Sequence, residues 1–91
     1  MENLEKIIAD AFSISIEELK GRSIKSQHAE ARAFLWLILH YTYGISTAKI
    51  AREYKKTPRA VNYALAKTKY LIGLRKDYAD IYMRICNKLN L

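Results

Sequence analysis

An all-α fold, a compact bundle of about six helices, is predicted by three features of the sequence. Apolar residues recur at three- and four-residue spacing and nowhere alternate over the length of a strand. Breakers are sparse: Pro58, Gly21, Gly44 and Gly73. Helix-start signals fall where those breakers leave room for them, with Ser15 three residues ahead of Glu18 and Thr57 directly ahead of Pro58.

Asn3 to Phe12 places Leu4, Ile7, Ile8 and Ala11 on one stripe, which predicts a first amphipathic helix. Ser15-Ile16-Glu17-Glu18 has capping-box spacing and opens a short second helix that stops at Gly21. Residues 21 to 26 are polar and basic and read as a loop. A long third helix is expected from Gln27 to about Tyr43, with Gly44 in the C-cap position. Its centre, Phe34 to Leu39, is apolar on every side, so it should be the central pillar, with Phe34 and Trp36 in the core. Ser46 or Thr47 caps a fourth helix that runs through Glu53. Thr57-Pro58 starts a fifth helix that reaches Gly73. A sixth, from about Lys76 to Leu89, turns Ile81, Ile85, Cys86 and Leu89 inward.

Size and composition narrow the function classes. A chain of 91 residues is expected to form one domain, spanning 1–91, around one core. Such a chain buries roughly 60–65% of the surface its unfolded form exposes, enough to fold without staples. The single cysteine, Cys86, has no partner for an internal disulfide or a thiolate zinc cage and reads as a small core residue. Met1 to Asp10 carries acids where a signal peptide would carry bases, so none is expected. The longest apolar run, Ala33 to Leu39, is far short of the roughly 20 residues that span a bilayer. A reduced, cytoplasmic, nucleoid-associated setting is the expectation. His28 and His40 are not at metal-ligand spacing, no nucleophile–base arrangement can be argued, and neither enzyme activity nor a cofactor or small-molecule substrate is expected.

The net charge is +7, and its placement is more informative than its size. Residues 1–45 hold five Lys/Arg against six Asp/Glu, whereas residues 46–91 hold eleven against three. Between 46 and 76 the only acid is Glu53. Positive charge confined to one half repels itself locally unless a polyanion neutralises it, and nucleic acid is the commonest such partner.

Within that basic half, residues 46–73 have the spacing of a helix-turn-helix. Ile50-Ala51, a short turn, Thr57-Pro58, then Val61 and Ala64 place a small residue where two helices cross and a branched apolar residue ten positions later. Ile50, Tyr54 and Ala64 complete the buried side. Lys55 stands at the turn position usually held by glycine and must take up a left-handed conformation. Advancing 100° per residue from Val61 puts Ala64, Leu65, Thr68 and Ile72 inward and Arg59, Asn62, Tyr63, Ala66, Lys67 and Tyr70 outward. That outer set suits the major groove: Arg59 can fork onto guanine, Asn62 can pair with adenine, and Tyr63 and Lys67 can reach phosphates or base edges. The helix start near Ser46 and Thr47, with Lys49 one turn in, and Lys55, Lys56 and Thr57 at the turn would hold the backbone without reading sequence.

The order of these elements resembles the C-terminal DNA-binding domain of the bacterial replication initiator DnaA. The likeness runs from Ile7-Ile8-Ala9 through Phe12 to Arg22, the long helix around Ala33-Phe-Leu-Trp-Leu, Ile50-Ala-Arg-Glu-Tyr54, Val61-Asn-Tyr-Ala64 and Lys67-Thr-Lys69, ending near Asn87. The resemblance implies that a basic loop sends an arginine into the minor groove, and the matching position is Arg22, assisted by Lys25. It also implies monomeric reading of a short duplex box. Departures are concentrated in the turn, where the family's Gly-Gly-Arg-Asp-His-Thr-Thr-Val gives way to Lys55-Lys56-Thr57-Pro58-Arg59-Ala60-Val61. The family's Arg-Pro-Arg opening of the long helix is His28-Ala-Glu30 here. The expected function is therefore sequence-specific binding of double-stranded DNA that regulates replication or transcription at a different box, with no phosphate loop for ATP. The competing readings are a basic helical module that docks an acidic protein partner or an anionic membrane, and RNA binding through the exposed tyrosines.

Overall fold

The computed structural model describes residues 2–22 and 25–90. Among them are six helices and no strand: α1 (Glu2–Ala11), α2 (Ile16–Lys20), α3 (Ser26–Tyr41), α4 (Thr47–Glu53), α5 (Pro58–Leu74) and α6 (Lys76–Lys88). They pack into a globule of 29 × 25 × 25 Å. No described helix is long and apolar enough to cross a membrane.

α3 is the pillar that its all-round hydrophobicity predicts, for every residue from Ala31 to Leu39 is buried. The core around it takes side chains from all six helices, including Ile8, Leu19, Ile50, Val61 and Ile85. Phe34 sits between Phe12 and Tyr78 at ring separations of 5.6 and 5.5 Å, so one aromatic row joins α3 to the end of α1 and to α6. Cys86 is half-buried rather than central; Tyr78 and Ile85 are the residues of α6 that are buried outright.

The termini of the helices show why each stops. Ser15 and Glu18 form the complete capping box: the Glu18 amide donates to Ser15 Oγ at 3.0 Å and the Ser15 amide to Glu18 Oε1 at 2.9 Å. Gly21, which ends α2, has an extended backbone, not a left-handed one. Glycine is needed there because a Cβ would lie 2.9 Å from the carbonyl oxygen of Glu17. α1 and α4 close with the paired 6→1 and 5→2 bonds of the Schellman motif, around Ser13 and Lys55 at φ of 55° and 56°, whereas α3 closes with a 5→1 bond from the Gly44 amide to the His40 carbonyl at 3.1 Å, with Gly44 at φ 69°. Lys55 therefore does take the left-handed conformation that the turn demands.

Candidate nucleic-acid interface

α4 and α5 are joined by residues 54–57, and their crossing is set by small and branched side chains. Ala51 and Val61 are both buried, as are Ile50, Tyr54 and Leu65. The Tyr54 hydroxyl donates to Glu5 Oε2 at 2.7 Å, which ties the end of α4 to α1. Glu5 is itself buried, with Lys20 at 4.0 Å. Burial, and then the carboxylate beside it, push the Tyr54 hydroxyl pKa far above its ordinary value.

α5 presents the outward edge that its periodicity predicts. Arg59, Asn62, Tyr63, Ala66, Lys67 and Tyr70 are all exposed, with Tyr63 at 67% and Tyr70 at 66%. Leu65 and Thr68 are buried, and Ala64 and Ile72 half-buried. The helix holds no acid along its whole length, so nothing on it opposes a polyanion. Thr57 Oγ1 accepts the Ala60 amide at 3.1 Å and Pro58 occupies the first helical position, so the start of α5 is rigid. Farther along, Lys69 lies over the ring of Tyr41 at 5.0 Å.

The remaining expected contacts fall into two groups. Lys49 and Lys55 are exposed beside the turn, and Lys56 is half-buried. Thr47 is also half-buried, and Ser46 caps α4 by accepting the Lys49 amide at 3.1 Å. That bond already occupies one donor of the helix start that was expected to face phosphate. Thr57, equally, serves first as a cap. Arg22 and Lys25 are exposed at the two sides of Ser23 and Ile24, which lie outside the described residues. The ends of this loop are anchored. Buried Arg32 donates from Nε to the Leu19 carbonyl at 2.7 Å and from Nη2 to the Glu18 carbonyl at 3.0 Å. His28 Nε2 lies 3.4 Å from Glu18 Oε2, and Gln27 donates to the Phe12 carbonyl.

Sequence reasoning missed these anchors. Arg32 and His28 lie ten or more residues from their partners Glu18 and Leu19, and their types say nothing of a partner on another helix. A second feature was also missed. A trough of about 700 Å³ separates the first half of α3 from one flank of α5 and is lined by Ser26 on one side and Lys56, Tyr63 and Lys67 on the other. Ser26 directly follows Lys25, so the loop and the outward edge of α5 stand on opposite banks of one depression. Among the described residues no group of three or more His, Cys, Asp or Glu could hold a metal ion.

The chain matches no protein-family model and no curated protein.

Proposed function

We propose that this chain is a binding module, not an enzyme, that recognises double-stranded DNA by sequence through a helix-turn-helix made of α4 and α5. One observation carries the reading: the edge of α5 beyond Pro58 is exposed, carries Arg59, Asn62, Tyr63 and Lys67, and lacks any acid. A helix with side chains is about 10–12 Å across and the major groove about 12 Å wide, so α5 enters it edge first. Arg59 then forks onto guanine O6 and N7, Asn62 pairs with adenine, and the small Ala66 lets the helix sit deep. Tyr63 and Lys67 reach phosphates or base edges, and Lys49, Lys55 and Lys56 hold the strand beside the turn. The loop arginine Arg22, with Lys25, reaches the adjacent minor groove, as the resemblance to the DnaA C-terminal domain implies. The altered turn, Lys55 to Ala60, points to a box other than that family's. Regulation of replication or transcription, by occupying such sites as a monomer on the nucleoid, is the role that follows.

Selection of bound sequences from a random duplex library tests the reading. A defined site is expected to emerge, and Arg59→Ala should weaken it by about 1–3 kcal/mol and relax one base pair. Absence of duplex binding at low salt, or an Arg59→Ala protein that binds the site as tightly as wild type, overturns it.

A further inference from the structure

We infer that Lys69 is a further contact to the phosphate backbone, on the flank of α5 opposite Lys67, and that Tyr41 positions it. The inference rests on the duplex reading and deepens it: with a lysine on each side, α5 meets both strands that wall the major groove. At this level of the helix the inward direction is fixed, because Thr68 is buried. Lys67 and Lys69 are its two chain neighbours, turned about 100° to either side, and both are exposed. Ala66 and Tyr70, about 160° from Thr68, form the exposed outer edge between them. The surroundings agree that the two lysines leave by opposite flanks. Lys67 lines the trough beside the first half of α3, whereas Lys69 meets Tyr41 at the far end of that helix.

Two features set Lys69 apart from an ordinary surface lysine. Its partner is an uncharged ring, 5.0 Å away at the centroid, so its charge is oriented without being cancelled. Arg75 is the contrasting case, closed on the Asp77 carboxylate at 2.7 Å. None of the described ion pairs includes Lys69. The ring is itself fixed. His40 packs edge-on to Tyr41 at 4.8 Å, and His40 Nδ1 donates to the Ile45 carbonyl at 2.8 Å, one residue ahead of the α4 cap at Ser46. Tyr41 stays 56% exposed, so the pair lies at the surface, where a strand can reach it. The ring engages one side of the ammonium and leaves N–H donors for phosphate. A lysine already held in one orientation also has less rotamer freedom to lose on binding. The groove supplies the acceptors. Its walls are phosphate strands about 12 Å apart, the breadth of a helix with its side chains, so side chains leaving α5 on opposite flanks face opposite walls.

The test measures the full chain on the duplex selected from the random library, over a range of salt concentrations. Lys69→Ala should lower the salt slope by about one without changing base preference. Tyr41→Leu should weaken binding about three- to fivefold, whereas Tyr41→Phe, which keeps the ring, should stay within about twofold of wild type. In the Lys69→Ala background Tyr41→Leu should cost nothing further, because the ring acts only through the lysine. Neutral methylphosphonate linkages, placed in one strand at a time, assign the wall. Those that erase the effect of Lys69→Ala should lie in one strand; those that erase the effect of Lys56→Ala, which lines the trough with Lys67, should lie in the other. A Lys69→Ala protein with the wild-type slope, additive losses from Tyr41→Leu and Lys69→Ala, or one strand serving both lysines overturns the inference and leaves the DNA reading standing. Failure of wild type to bind any duplex at low salt overturns both.

Discussion

Lys55 shows how a single residue can serve the turn against its own preference. It lies at φ 56°, where its amide donates to the Arg52 carbonyl and the Lys56 amide to Ala51, closing α4. A side chain in this region costs about 1–2 kcal/mol, and glycine avoids most of that at some cost in unfolded-state entropy. Lys55→Gly should therefore raise stability by about 0.5–1 kcal/mol in a thermal melt, and on DNA it should lower the salt slope by removing a cation. Tyr54 works differently, through the hydrogen bond to buried Glu5. Tyr54→Phe removes that donor and leaves the carboxylate short of one partner, at about 1.5–3 kcal/mol near neutral pH. The bond also predicts alkaline behaviour. The folded pKa of Tyr54 is raised, so its stabilisation is complete below the unfolded value near 10 and is lost as pH climbs above it. Tyr78, pushed up to about 12 by burial and by Glu30, adds to the same limb between 10 and 12. Denaturant titrations at rising pH should show wild type weakening faster than Tyr54→Phe; parallel curves would mean that Tyr54 ionises freely.

At the scale of elements, what could be read in the sequence and what could not divide along a physical line. Periodicity and capping are local, so the pillar α3, the capping box at Ser15, the cap at Thr57 and the outward edge of α5 were all readable from spacing. Boundaries moved by a residue or two, as at Ala11 and Ser26. Long-range polar pairs are not local, and these were missed: Arg32 on the α2 carbonyls, Tyr78 on Glu30, Glu18 beside His28. The trough was illegible for the same reason, since it exists only where α3 and α5 run side by side. Glu18 gives this scale its prediction. The Ser15 backbone amide, more than any other group, holds its carboxyl below the ordinary value, so its contribution is present above about pH 4.5 and lost as pH falls further. Glu18→Gln should flatten the acid limb of the stability curve, which stepwise acid titration followed by circular dichroism would reveal.

For the whole molecule the governing fact is that eleven of the sixteen Lys/Arg lie in residues 46–91, and the globule is only 25–29 Å across. At about 0.15 M ionic strength the Debye length is about 8 Å, so in the proposed complex only charges within about that distance of the duplex contribute appreciably. Binding to duplex should then fall linearly on a log–log plot against salt, with a slope near 0.9 for each phosphate neutralised. Four candidate backbone cations, Lys49, Lys55, Lys56 and Lys67, set a slope of roughly four before Arg22 and Lys25 are counted. Lys56→Ala should lower it by about one and weaken every sequence alike, because a phosphate contact carries no base information. Arg59→Ala should instead leave most of the slope and flatten preference at one position. Measuring both variants on the selected site and on an unrelated duplex at three salt concentrations separates the two roles. If Lys56→Ala altered specificity and Arg59→Ala altered only the slope, the helix would be lying along the backbone and not in the groove.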